Sequence, residues 1–280
     1  MSQLRSISAL ALAWVLLAGV YTASAQQSLY RRFRAHNTAL KEVEPTWMAP
    51  LIQTDARIGQ GIKLSVSNSN FPPVQPTVYG NNHGFSIVAA RRFQFDLDPP
   101  SFFRNHSSTH PDGFGNMGAQ VKMRLISGNA QHGNFVVSAV LFHGFGARAY
   151  QNQFLSAYYA PSIAAGKAFG RFALISNVGG LLPTAKIQAQ GRAIEWNVTA
   201  QLHAAPNVWF DIENNADFFY LGPLDHETQN MITPAAFYRI HRPGWRPEHA
   251  AFVLDCGMQI ATSRAYFYNH NLVSELRIIF

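Results

Sequence analysis

Ile194, Trp196, Val198, Ala200 and Leu202 alternate with Glu195, Asn197, Thr199, Gln201 and His203. A β-strand sends successive side chains to opposite faces, so this run has one oily face and one polar face. The same period returns in Met117, Ala119, Val121, Met123 and Leu125 against Gln120, Lys122 and Arg124. A soluble sandwich rarely sets two cations and a glutamine in a row on one face while the other face is wholly apolar. A closed barrel with a wet interior and an oily exterior does so routinely.

Composition points the same way. Charged residues make up 13% of the chain and aromatics 13%, against about 25% charged in a soluble domain. After the first two dozen residues no run reaches eighteen consecutive apolar residues, so no transmembrane helix is expected. The oil is spread at every second position, as membrane strands require. At the start, Arg5 precedes an apolar run from Ile7 to Tyr21, and Ala23-Ser24-Ala25 supplies a small-x-small pattern. This reads as a signal peptide over residues 1–25, exported through the Sec pathway and cleaved near Ala25. No cysteine follows the run, which argues against a lipid anchor. Cys256 is the one cysteine and sits in phase with Phe252, Leu254, Met258 and Ile260, so it reads as a small apolar side chain and excludes an internal disulfide. The formal net charge of +7 falls by one with the loss of Arg5. In an envelope protein that positive balance favours phosphate-bearing lipid heads or anionic solutes over nucleic acid.

Taken in order, residues 26–56 read as a plug, a periplasmic arm or a first strand. From Arg57, Ile58, Ile62, Leu64 and Val66 share one parity and Lys63, Ser65 and Ser67 the other. Asn68 to Pro76 is a proline-rich connection. Phe85, Ile87, Ala89, Phe93 and Phe95 read as one strand, with Arg91 breaking its parity. Asp96 to Gly115 reads as a long polar loop. Asn134 to Phe142 is apolar on both parities, which fits a strand whose inner face packs on a plug or loop. Strands follow over 154–167, 171–182, 194–203, 208–213, 232–241 and 252–260, with turns at 168–170, 204–207 and 242–247 and a loop over 214–229. Eleven strands are legible in this way. Bacterial barrels have even strand numbers, so a twelfth is expected before Arg57; ten remains the alternative.

The chain closes with Leu272, Leu276, Ile278 and Phe280 on one parity and Glu275 and Arg277 on the other. This resembles the last strand of a bacterial outer-membrane barrel, in which Leu276, Ile278 and Phe280 would form the membrane-insertion signal. Gly113-Phe114-Gly115-Asn116-x-Gly118-x-Gln120-x-Lys122-x-Arg124 and Pro206-Asn207-Val208-Trp209-Phe210-Asp211-Ile212-Glu213 are similar to segments of an outer-membrane transporter family found near genes for phenol meta-pathway degradation. Asn116 stands where that family usually carries Asp. The resemblance implies a twelve-stranded barrel over about residues 57–280 that passes small molecules, hydrophobic ones among them, and it implies no catalytic residue.

The polar parities collect Lys122, Arg124, Glu195, Gln201, Asp211, Glu213, Asp255, Gln259, Glu275 and Arg277. These are the expected lumen-lining residues. They either line a hydrated pore or close it by salt bridges and hydrogen bonds, and their mixed signs argue against strong ion selectivity. Trp196, Trp209 and Trp245 are candidates for interface girdles. Among eleven histidines, His106 and His110 lie four apart beside Ser107 and Ser108. On a helix such a pair could share a metal, but the flanking prolines indicate a loop, and no metal or other cofactor is expected. The same four residues are the candidate catalytic set for a barrel enzyme acting on lipid, which needs a nucleophile and a base brought together.

The expected fold is therefore all-β: an antiparallel transmembrane β-barrel of about 12 strands closed by the C-terminal strand. Its expected setting is the outer membrane of a Gram-negative-type envelope, as a porin-like monomer. Its expected partners are outer-membrane lipid, the barrel-assembly machinery and a small-molecule solute. The alternatives are a lipid-hydrolysing or lipid-modifying barrel enzyme and a secreted soluble β-sandwich binding protein.

Overall fold

The computed structural model describes residues 31–32, 35–40, 42–70, 75–80, 83–146, 156–240, 250–266 and 268–280. The signal peptide expected over 1–25 and the turn expected at 242–247 lie outside these residues. The chain forms two units, Met1–Leu40 and Lys41–Phe280. In the first, residues 35–40 are helical.

The second unit is built on antiparallel strands: β1 (Gly61–Ser69), β2 (Thr77–Tyr79), β3 (Gly84–Ala90), β4 (Phe93–Asp98), β5 (Phe102–Arg104), β6 (Gly113–Phe114), β7 (Met117–Gly128), β8 (Phe135–Phe145), β9 (Tyr158–Phe169), β10 (Phe172–Pro183), β11 (Arg192–Ala205), β12 (Val208–Leu221), β13 (Thr228–Ile240), β14 (Ala251–Ala261) and β15 (His270–Ile279). Twelve of them form a closed ring. It runs β1, β3, β4, β7 and then β8 to β15, and β15 returns to β1 in a nine-pair register from Gly61↔Ile279 to Ser69↔Asn271. Closure leaves no sheet edge to be satisfied, which is the condition for strands to cross hydrocarbon. The short strands β2, β5 and β6 continue β3, β4 and β7 and pair β1 with β2, β2 with β5 and β5 with β6.

The twelfth strand does not come from the segment before Arg57. It comes from the run that reads as one strand over 85–95. That run is a hairpin, β3 and β4, with Val88↔Gln94 and Ala90↔Phe93 paired around Arg91-Arg92. The arginine that breaks the apolar parity is the turn itself. This shift also moves the proline-rich 70–76 connection. It now leaves from the same end of the barrel as the strands ending at Arg104, Phe145, Pro183, Leu221 and Ala261, while the tight turns 91–92, 129–134, 170–171 and 206–207 gather at the other. Two segments expected as loops are partly strand: Asp96–Asp98 completes β4, and Asn214–Leu221 completes β12.

The outward parity is apolar and exposed, with Leu64 52%, Ile163 50% and Ile212 61% accessible. The inward parity buries polar and charged side chains. This inversion of a soluble core is what a hydrocarbon solvent demands. Strands of 12 to 14 residues in β7, β9, β10, β11 and β12 exceed the roughly 9–11 that a tilted crossing needs.

Candidate functional site

The interior is occupied by the chain itself. From Thr46 to Gln60 the backbone has no helix or strand, so its N–H and C=O groups need partners from outside the segment. The inward parities of the barrel supply them. Glu213 Oε1 accepts from Leu51 N–H (2.5 Å) and Ile52 N–H (3.2 Å), and Glu213 Oε2 from Ile52 N–H (3.2 Å) and Gln53 N–H (3.0 Å). One carboxylate thus satisfies three successive amides. Gln201 accepts from Met48 N–H (2.7 Å) and donates to Met48 C=O (3.1 Å). Arg277 donates to Ala49 C=O (2.6 Å) and Pro50 C=O (2.9 Å), while its Nε lies 2.6 Å from both Asp255 Oδ2 and Glu275 Oε1. Lys122 Nζ donates to Asp55 C=O (2.6 Å) and Arg57 C=O (2.9 Å). Ser138 Oγ donates to Ala56 C=O (2.6 Å), and Gln94 Oε1 accepts from Gly59 N–H (2.7 Å). Arg124 pairs with Glu44 and donates to Arg91 C=O.

Apolar contacts fix the same segment from two sides. Trp47 and Ala56 pack with Val136, Val140, Ala164 and Ile175. Met48 and Leu51 pack with Trp209, Phe237, Val253 and Val273. Trp47 accounts for the apolar inner parity of β8. Two wall glycines are sockets: a Cβ at Gly166 would lie 2.6 Å from Trp47 Cζ2, and one at Gly257 2.6 Å from Leu51 Cδ2. Between the segment and the wall is a cavity of about 520 Å³, bounded among others by Lys63, Asp98, Tyr158, Asn177, Glu195 and Tyr268.

The segment carries its own charge pair. Asp55 and Arg57 meet at 2.9 Å. Burial works to raise the Asp55 carboxyl, but Arg57 and Lys122 outweigh it and hold the group below the usual carboxylate range. Glu44 goes the other way. Its burial pushes the pKa up to about 7, with Arg124 opposing but not cancelling the shift.

Of the ten residues expected in the lumen, Lys122, Arg124, Gln201, Asp211, Glu213, Asp255, Gln259, Glu275 and Arg277 are buried on inward parities. Seven of these, all but Asp211 and Gln259, contact residues 42–60 or form an ion pair with a residue that does. Gln259 instead accepts from Tyr268 Oη (3.0 Å) and Asn271 Nδ2 (2.8 Å). Glu195 is half-buried beside the cavity. Leu276 and Ile278 lie on the outward parity of β15, and Phe280 N–H donates to Gln60 C=O (3.0 Å). Sequence reasoning missed Gln94, Ser138, Asn177 and Asp217. Gln94 sits on a legible polar parity, whereas Ser138 is one hydroxyl in an otherwise apolar run.

The histidine and serine set stands apart, in the exposed 105–112 loop. His106, at φ 50, meets Thr77 Oγ1 through Nε2 at 3.1 Å. Ser107 Oγ meets Thr109 Oγ1 at 3.0 Å, and Thr109 Oγ1 meets His110 Nδ1 at 3.0 Å. Ser107 therefore reaches His110 through Thr109 rather than directly. Ser108 is exposed, and Asp112, the nearby acid, accepts from Asn105 N–H (2.8 Å). A general base needs direct hydrogen-bond reach to its nucleophile, so this arrangement lends the lipid-enzyme reading no support.

No family model matches the chain, and no curated protein does. Solved structures do resemble it. The NanC porin superposes with a TM-score of 0.54 at 8% identity, over 78% of this chain and 98% of that one. An outer membrane channel from Pseudomonas putida F1 gives 0.47 at 11% identity, over 84% of this chain and 100% of that one. The outer membrane channel DcaP of Acinetobacter baumannii gives 0.36 at 10% identity, over 85% and 68%. At such identities the porin likeness establishes a shared barrel fold.

Proposed function

We propose that the chain is an outer-membrane pore for small molecules, hydrophobic ones among them, in which residues 42–60 act as a displaceable plug. In this reading it is exported by Sec, cleaved near Ala25, inserted by the barrel-assembly machinery and works as a monomer, with the tight turns in the periplasm. The observation that carries the reading is the way the inner segment is held. No β-ladder joins it to the wall among the described residues. It is tied by side-chain-to-backbone hydrogen bonds from Glu213, Gln201, Lys122, Ser138 and Arg277, each of which water can replace. A charged group makes such a bond worth about 1.5–3 kcal/mol, so a few of them hold the segment firmly yet reversibly. The likeness of Gly113–Arg124 and Pro206–Glu213 to the phenol meta-pathway transporter family supports hydrophobic solutes.

The test is single-channel recording of the refolded barrel in planar bilayers. Glu213→Gln puts an amide N–H₂ among three N–H donors and removes the charge they point at. The variant is expected to open more often or conduct more than wild type. If neither wild type, Glu213→Gln nor a chain lacking residues 42–58 raises the current above that of the bare bilayer, the pore reading fails.

A further inference from the structure

The cavity beside the inner segment has an uneven distribution of charge. Three of the cations that bound it are already bonded, and the fourth lies near other carboxylates. Lys122 and Arg277 hold backbone carbonyls of the segment, Arg57 pairs with Asp55, and Lys63 stands in electrostatic range of Asp98 and Asp255. Glu195 has no such partner among the described residues. It faces the bare backbone of Gly179 on β10 and the carboxylate of Asp217 on β12. Asp217 is the charged group that acts on it, and Asp217 itself accepts one long bond from Gln229 Nε2 (3.4 Å). Like charges directly opposite across a strand pair repel.

A second observation comes from one rung below. Asn177 pairs with Asn197, the residue two before which is Glu195, so Asn177 and Glu195 are diagonal neighbours roughly 7–8 Å apart. Asn177 is 4% exposed, bounds the cavity, and its Oδ1 has no hydrogen-bond partner among the described residues. A carboxylate with no cation beside it among the described residues and an amide oxygen without a donor thus lie on one inward face. Two aromatic rings complete the site. Tyr158 lies in electrostatic range of Glu195 and Asp98, and its ring packs on Phe142 at 5.7 Å. Tyr268 lies in range of Asp217. An acceptor that lacks a donor, a charge that lacks its opposite and aromatic faces together describe the complement of an ammonium group on an apolar body.

We propose that this cavity is a recognition site for a small organic amine, its ammonium seated on Glu195 with Asn177 Oδ1 as second acceptor and its apolar body against Tyr158. The proposal rests on the pore reading for how the amine arrives, and not for whether it binds.

The test is calorimetric titration of the full, folded barrel in detergent with 2-phenylethylammonium chloride, its fold checked by the gel shift on heating. Saturable binding is expected. Glu195→Gln should weaken it about tenfold, the worth of one charge-assisted hydrogen bond, and Asn177→Ala should weaken it less. The neutral isostere 2-phenylethanol should not compete. Equal affinity in wild type and Glu195→Gln, or no saturable heat for wild type in the millimolar range, overturns the proposal. Should Glu195→Gln not fold, Tyr158→Leu reads the same site, and unchanged affinity there overturns it equally. Bilayer recordings separate the two readings. A barrel that binds the amine but never conducts keeps the site and loses the pore. One that conducts without binding the amine does the reverse.

Discussion

Arg277 shows how much one buried side chain can carry. It sits between Asp255 and Glu275, donates to two carbonyls of the inner segment and lies over the Phe237 ring at 5.5 Å. Arg277→Met would leave two buried carboxylates without their cation. Breaking a buried ion pair from one side costs about 3–5 kcal/mol, so the unfolding midpoint in denaturant should drop clearly. Combining it with Asp255→Asn and Glu275→Gln should restore much of the loss, because the stranded charges go too. If the single variant unfolds like wild type, the triad contributes no net anchoring. Glu44 gives a pH dependence of definite sign. Its folded pKa is raised from 4.5 to about 7 by burial. Between those values the docked form holds a proton that the free chain has released. The docking stability is therefore full below about pH 4.5, is lost as pH rises through 7, and is flat above. Limited proteolysis of the 42–46 stretch should speed up over that window, and Glu44→Gln should flatten the profile. A rate that falls with rising pH would contradict the burial of Glu44.

Strands divide their residues between two solvents, and neighbouring positions should respond differently. Ile163, half exposed near the middle of β9, faces the lipid side, whereas Ser162 borders the cavity. Ile163→Arg should cost roughly 2–4 kcal/mol in folding from denaturant into lipid. Ser162→Arg should change conductance with little effect on stability. Similar destabilisation by both would mean that β9 is not in the register found here. At this scale the sequence was legible wherever the parity was clean, as in β7, β11, β14 and β15. It misled where polar residues occupy both parities. Asn214 and Asn215 read as a loop, yet they continue β12 and carry Asp217 into the lumen. Arg91 reads as a break in the parity of one strand, yet with Arg92 it is a two-residue turn between two.

The ring closes through nine residue pairs between β1 and β15, segments some two hundred positions apart. A closed barrel resists detergent until it is boiled, so an unheated sample should migrate faster on a gel than a heated one. A soluble sandwich would show no shift. Phe280→Ser removes the terminal aromatic expected to serve as the insertion signal. It should lower the amount assembled in the outer membrane of cells while leaving refolding into detergent in vitro unchanged. Equal loss in both settings would assign Phe280 to barrel stability instead.

What the sequence determined by itself is the solvent of each face. Two-residue alternation is a local property, and it marks apolar exterior against polar interior without reference to any other part of the chain. It was sufficient for the barrel, for the closing strand and for the burial of residues such as Lys122, Glu213 and Arg277. The tertiary structure alone decided what fills the interior. Residues 46–60 form no ladder, and before Arg57 they carry no period. Their amides and carbonyls are satisfied by Gln94, Lys122, Ser138, Gln201, Glu213 and Arg277, side chains 35 to 228 positions away. Which strand presents which donor to which carbonyl depends on barrel closure and register, and those become definite only once all twelve strands are paired.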